Sequence, residues 1–260
     1  MNPSLILCEQ VGGVAMIRLN RPDERNALSR QMLQRLSENF KKFEDDDDLR
    51  AVILTAAGET AFCSGSDIGE LAKLSESEAR EASVRGQKLC DQIEAFPVPV
   101  IAAINGSAAG GGCELALACD LRIASSGATF TLPKTQPGII PGYGVTQRLP
   151  REVGQARALA IMLTGKTLTA DEAFKIGLVN RVVTPADLLP EAKSLASEIS
   201  QLAPLAIRAC LKAVRLGLDL SLEDGLALET ELFAALFATE DVREGTRAFL
   251  EKRSPVFKGK

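Results

Sequence analysis

Residues Ile104-Asn-Gly-Ser-Ala-Ala-Gly-Gly-Gly-Cys-Glu114 decide how the rest of the chain is read. The stretch follows a continuous apolar run, Val98 to Ile104, whose prolines stand at its start. Such a run is typical of a strand buried on both faces. Asn105 to Gly112 then reads as a loop of small residues, and Cys113 to Ala118 as a helix. Three successive glycines remove side chains and let a ligand approach the backbone. The first N–H groups of a helix are unpaired, and the helix dipole favours negative charge there. The segment is therefore a candidate site for a phosphate or a developing oxyanion. The glycine spacing fails the dinucleotide fingerprint, and no Lys-Ser/Thr pair follows to make a P-loop. The alternative is a loop kept small for strand–helix packing.

A second loop has the same form. Ala61-Phe-Cys-Ser-Gly-Ser-Asp-Ile68 follows the buried run Ala51 to Thr55 and precedes a helical stretch. Gly65-Ser66 can aim a backbone N–H into a pocket. Two such donors converging on one carbonyl oxygen make an oxyanion hole. Neither Ser64 nor Ser66 lies in the G-x-S-x-G context of a nucleophile.

Outward from these loops, Leu5–Glu9 and Val14–Leu19 form a hairpin pattern around Gly12-Gly13. Asn26 to Ser29 opens a helix whose apolar positions are Met32, Leu33, Leu36, Phe40 and Phe43. Asp45 to Asp48 reads as a solvated turn. Leu121–Ala124, Thr129-Phe130 and Leu178–Val183 read as further strands. After Pro185 the pattern is helical throughout: Leu188–Leu202, Ala206–Leu218, Leu222–Phe237 and Val242–Phe249. Alternating strands and helices predict an α/β layer architecture.

Composition narrows the chemistry. The chain has 260 residues, 46% hydrophobic and 25% charged, which is ordinary for a globular protein. It contains no histidine. A Ser-His-Asp triad, a Cys-His pair and a His-ligated zinc are excluded. Acid–base work falls to Asp, Glu, Lys, Cys or the single tyrosine, Tyr143. No two of the six cysteines are spaced as C-x-x-C, and they read as free thiols of a reducing, cytoplasmic compartment. A net charge of −4 argues against a nucleic-acid partner. The N-terminal residues read as neither a signal nor a transit peptide, and no apolar run is long enough to span a membrane.

Taken together, AFCSGSDI and NGSAAGGGCELALACD resemble the crotonase (enoyl-CoA hydratase/isomerase) superfamily. LNRPDERNAL, PGIIPGYGVTQRLPR, LTGKTLTADEAFKIGLVNRVV and FATEDVREGTRAFLEKRSPVFKG extend the likeness over nearly the whole chain, in order. The resemblance implies an α/β fold: a spiral of ββα units over residues 1–185, carrying the coenzyme A and oxyanion sites. It implies a helical trimerisation region over 186–260, and a homo-oligomer, trimer or dimer of trimers. The implied substrate is an acyl-CoA thioester, with no metal and no cofactor beyond the coenzyme A of the substrate itself. Its carbonyl would lie between the N–H groups of Ser66 and Gly111. The loop carrying Ala61, Cys63, Ser64, Asp67 and Ile68 would hold the adenine. Gly110, Pro133 and Tyr143 would line the substrate, and Arg25, Phe257 and Lys258 would contact coenzyme A.

Glu114 matches one of the two glutamates of the hydratases. It is expected to hold a water and serve as acid or base once burial raises its pKa; the alternative is a glutamate that complements a helix N-terminus. The second glutamate of hydratases lies in a segment resembling F-x-x-P-E. This chain reads Phe130-Thr-Leu-Pro-Lys134. Lys134 is expected to pair with Glu114 and lower its pKa. Three readings follow: a hydratase or dehydratase running on Glu114, an enolate-forming decarboxylase using Lys134, and a non-catalytic acyl-CoA binder. Glu70, Glu231 and Glu240 are candidates to replace the missing carboxylate.

Overall fold

Gly12-Gly13 turns the chain between β1 (Ile6–Val11) and β2 (Val14–Leu19), an antiparallel pair. Gly12 takes φ +58°, a left-handed value that two-residue hairpins demand. Helix α1 (Arg30–Glu44) starts where Ser29 accepts the N–H of Met32, and it buries Met32, Leu33, Leu36 and Phe40 along one stripe. These observations come from a computed structural model that describes residues 4–132 and 138–260.

The middle of the chain repeats one operation three times. β3 (Ala51–Ala56), β5 (Val100–Ile104) and β7 (Leu121–Ser125) join β2 in a large parallel sheet, which β10 (Arg181–Val183) completes. After each of those three strands the chain bends into a second sheet, as β4 (Ala61–Cys63), β6 (Ser107–Ala109) and β8 (Thr129–Thr131). β9 (Leu168–Thr169) closes that sheet antiparallel to β8. Helices follow the second strands: α2 (Ile68–Leu71) and α3 (Glu76–Glu94) after β4, α4 (Gly111–Leu117) after β6. This is a spiral of ββα units. By sequence pattern alone β4 and β6 read as loop. Their three-residue spans of Ala, Ser, Phe and Cys carry almost no β-branched signal, and only pairing with each other and with β8 extends them.

The large sheet is buried on both faces. Val52 and Leu54 belong to a core shared with α1, α3 and α4, whereas Ile53, Ile101 and Ile123 face Leu188, Ala192 and Ala196 of α8 (Leu188–Ser200). Successive residues point to opposite faces. Each fully buried Ile or Leu contributes roughly 1.5–3 kcal/mol. Phe40 and Phe96 meet edge to face, with ring centroids 5.3 Å apart, and close the core below α1.

α5 (Val145–Val153), α6 (Gln155–Thr164) and α7 (Ala170–Lys175) cover the second sheet. The chain ends in α9 (Pro204–Gly217), α10 (Leu222–Leu236) and α11 (Glu240–Glu251). Arg215 of α9 ties this region to the body, donating to Asp120 Oδ1 at 2.6 and 3.1 Å and to the Phe96 carbonyl at 2.8 Å. Among the described residues, no helix is long and apolar enough to cross a membrane.

Candidate active site

Helix α4 is enclosed on all sides: its seven residues, Gly111 to Leu117, are all buried. Gly110 is its N-cap, at φ +48°, and donates its own N–H to the Thr131 carbonyl at 2.9 Å. Gly111 is the first helical residue, so its N–H has no partner within the helix.

The β4 loop is pressed against this helix start. Gly65 sits at φ +92°, where a side chain would meet the Ala109 carbonyl at 2.6 Å. At Gly112 a β-carbon would lie 2.2 Å from the Cys63 carbonyl. Only glycine permits that approach. Leu28 then pairs with the loop as a parallel bridge, donating to the Gly65 carbonyl and accepting from the Asp67 N–H. Strand geometry turns the intervening Ser66 N–H away from Leu28. A β-carbon on Gly111 would stand 3.4 Å from the Ser66 nitrogen, so the two donors share one wall. Among the described residues neither N–H has an acceptor.

Glu114 lies one helical turn further on, 3% exposed. Its Oε1 accepts the main-chain N–H of Tyr143 at 2.7 Å and of Val145 at 3.2 Å. Burial pushes its carboxyl above the usual range, against the downward pull of those N–H groups, the Arg148 charge and the Gly144 N–H. Oε2 accepts no hydrogen bond among the described residues. One oxygen is thus anchored, and among the described residues the other has no donor.

Tyr143 joins the two halves of the site. Its hydroxyl is 3.0 Å from Ser66 Oγ, and burial pushes its phenol pKa up while the Ser66 contact pulls it down. Its ring lies over Gly86 of α3, where a β-carbon would meet ring carbons at 2.0–2.3 Å. Ser66 and Tyr143 form the inner end of a cavity of about 310 Å³ walled by Leu28, Leu33, Leu71 and Leu74.

The other predicted residues fall into three groups. Ala61 and Cys63 lie inside β4 with buried side chains, and the Cys63 thiol is pushed up to about 12 by burial, so the backbone is what this strand can offer a ligand. Ser64 donates its N–H to the Arg25 carbonyl at 3.0 Å, Arg25 is in the left-handed region at φ +51°, Asp67 caps α2, and Ile68 is exposed. Phe257 and Lys258 pack on α11: Lys258 donates its N–H to the buried Asp241, and its ammonium pairs with Glu240. None of their hydrogen bonds or ion pairs reaches Glu114 or Ser66. Pro133 and Lys134 lie outside the described residues, and so does the expected pairing of Lys134 with Glu114. Of the candidate replacement carboxylates, Glu70 lines the cavity and accepts the Arg30 N–H at 2.8 Å, while Glu240 is on α11 and Glu231 on α10.

Sequence reasoning missed three residues that shape the site. Asn26, 1% exposed, accepts the Arg21 N–H and donates to the carbonyls of Ala57 and Ala61, clamping the β4 loop. Arg148 donates to the Tyr143 carbonyl and pairs with Asp91 and Glu94. Gly86 makes room for Tyr143; a lone glycine inside an amphipathic helix was the available signal.

The sequence model of the Enoyl-CoA hydratase/isomerase family matches residues 9–260. The putative enoyl-CoA hydratase/isomerase YngF of Bacillus subtilis is 47% identical over 259 residues, covering 100% of both chains. The crotonyl-CoA hydratase of Syntrophomonas wolfei is 44% identical over 252 residues, 97% of each chain. The crystal structure of an enoyl-CoA hydratase from Bacillus anthracis superposes with a TM-score of 0.96 at 40% identity, covering 99% of this chain and 100% of that one.

Proposed function

The chain belongs to the enoyl-CoA hydratase/isomerase family, and on that premise we propose that it adds water to a 2-enoyl-CoA, or removes it from a 3-hydroxyacyl-CoA. The thioester oxygen is held by the N–H groups of Ser66 and Gly111, with the α4 dipole behind the second. Polarised there, the thioester takes negative charge as an enolate when water adds at the β-carbon. Glu114 Oε2 accepts the water's proton and returns a proton to the α-carbon. The coenzyme A of the substrate is the only cofactor this chemistry uses.

One observation carries the proposal: a buried carboxylate with one oxygen anchored, a turn away from the Gly111 N–H, which like that of Ser66 has no acceptor among the described residues. Tyr143 keeps these parts in register, as a positioning residue. The names of the relatives in Bacillus subtilis and Syntrophomonas wolfei support the same reaction class.

A second reading rests on Lys134. An ammonium at the position where the resemblance expects a carboxylate suits a reaction in which a substrate carboxylate is held or lost and the enolate is then protonated. Incubating crotonyl-CoA with a high concentration of the protein, and weighing the product, tests the first reading. A mass gain of one water is expected. No gain, with crotonyl-CoA bound, transfers the assignment to chemistry on a carboxylated acyl-CoA or to binding alone.

We further propose that residues 186–260 assemble the protein into a trimer or a dimer of trimers. Leu218, Leu222, Phe233, Phe237, Phe249 and Leu250 are exposed there, and a surface this apolar marks an interface. Six free thiols, four of them buried, fit the reducing cytoplasm.

A further inference from the structure

The cavity beyond Ser66 and Tyr143 is apolar along its walls but charged at its outer side. Arg30, Lys73 and Arg85 line it together with four carboxylates, Asp67, Glu70, Glu78 and Glu81. Counted simply, the lining is acidic, but three of its carboxylates are already engaged. Asp67 caps α2 and pairs with Arg21. Glu70 accepts the Arg30 N–H, and Glu78 closes the capping box on Ser75. These three stand at or within the first turns of α2 and α3, where the helix N-termini offset their charge. Glu81 alone is uncommitted. Among the described residues, none of the three cations has a carboxylate partner, and Arg85 is the one that is half-buried.

Cations continue outward. Arg30 and Arg85 also border an adjoining groove between α1 and α3, where Lys41 and Lys88 add ammonium groups that have no ion-pair partner among the described residues. At the inner end, the Arg85 charge is felt at the Tyr143 hydroxyl, which is 3.0 Å from Ser66 Oγ. A guanidinium half out of water, with no ion pair among the described residues, only Glu81 one turn away on the same helix, and opening on an acyl-sized cavity, is suited to a bidentate carboxylate.

We infer that this cavity selects an acyl group ending in a carboxylate, the monothioester of a short dicarboxylic acid, with Arg85 as its anion partner. The inference rests on the proposed binding of an acyl-CoA thioester at Ser66 and Gly111, and it names the class of acyl group that site takes.

The test compares equilibrium binding of glutaryl-CoA and butyryl-CoA, whose saturated chains offer no double bond to hydrate. The full-length protein is expected to prefer glutaryl-CoA by about tenfold or more at low salt, the range of a charge-assisted hydrogen bond, and the preference is expected to shrink as salt rises. In Arg85→Gln the ratio of the two affinities should collapse toward one. Arg85→Lys, which keeps the charge but loses the fork, should leave an intermediate ratio. Equal affinity for the two esters in the unmodified protein overturns the inference. So does a preference that survives Arg85→Gln. Binding of butyryl-CoA and hydration of crotonyl-CoA without a glutaryl preference overturns this inference alone. Failure to bind either ester overturns the proposed function with it.

Discussion

The main-chain N–H of Tyr143 donates to Glu114 Oε1 at 2.7 Å, while the hydroxyl of the same tyrosine stands 3.0 Å from Ser66 Oγ. One residue thereby sets the separation between the Glu114 carboxyl and the wall that carries the Ser66 and Gly111 N–H groups.

Glu114→Gln is expected to lower turnover of crotonyl-CoA by roughly 10²–10⁴-fold, the usual worth of a positioned general base, with crotonyl-CoA binding retained. In the unmodified protein, activity should fall as pH drops through an apparent pKa above the ordinary carboxylate value, because burial favours the neutral acid. The chain contains no histidine, so an acid limb above pH 5 has no imidazole to be assigned to. A pH–rate profile of kcat/KM that stays flat down to pH 4 contradicts this.

Stability should respond to the same group with the opposite sense. A carboxyl whose pKa is raised on folding penalises the native state once it ionises, and that penalty grows as pH rises from the unfolded pKa through the folded one. Glu114→Gln should therefore melt at a higher temperature than the unmodified protein at pH 8, and the gap should close toward pH 4. Calorimetry at the two pH values reads the difference, and a gap that widens in acid is the wrong sign.

Gly111→Ala would place a methyl group 3.4 Å from the Ser66 nitrogen, 3.3 Å from the Tyr143 ring and 3.2 Å from Leu28 Cδ1. The contacts are tight but short of a clash, so the fold should tolerate them. The oxyanion would lose its seat. The expected result is a fall of about 10²–10³ in kcat, as for loss of one oxyanion donor, with a small change in melting temperature. Unfolding of this variant would show instead that the glycine serves packing.

Gly86→Ala overlaps the Tyr143 ring outright, at 2.0 Å. It should destabilise the protein by about 1–3 kcal/mol, the range for overpacking. Tyr143→Ala in the same chain should recover much of that loss, giving a coupling energy outside the error of a double-mutant cycle. Additive effects in chemical denaturation would mean that the two residues do not meet.

Thiol titration offers a check on the core. Cys63, Cys90, Cys113 and Cys119 are buried, and the first three are pushed up to about 12 by burial. Cys8 and Cys210 are exposed. An aromatic disulfide reagent should modify two thiols in the native chain and six in denaturant. Protection of Cys210, which lies on α9, in the native protein would report that an assembled neighbour covers that helix.

Much of this architecture was legible in the residues. The stripe from Met32 to Phe40 announced α1, the apolar runs at Ala51 and Val98 announced the parallel strands, and the four helices after Pro185 begin and end close to where their spacing places them. Those signals are long and periodic. β4 and β6 were hidden because three residues make no period and their pairing is with distant segments. Asn26 was hidden because its work is done by side-chain hydrogen bonds to Ala57 and Ala61, 31 and 35 residues away. The fit of Tyr143 on Gly86 spans 57 positions and obeys no local rule. The two glycine loops were legible as possible donors of N–H groups; that they touch depends on Gly65 and Gly112 meeting the backbone of the other loop.

The enclosure of α4 has an evolutionary consequence. A helix buried on every face offers no position where drift is free, and its neighbour loop is held by backbone contacts at Gly65 and Gly112. On the proposed function, the part of the molecule that would activate a thioester is thus shielded from change. Lys134 and Tyr143, by contrast, both fall in the segment between β8 and α5. Descendants of such a protein can acquire a new fate for the same enolate by rewriting one connection, while the activating half is inherited intact.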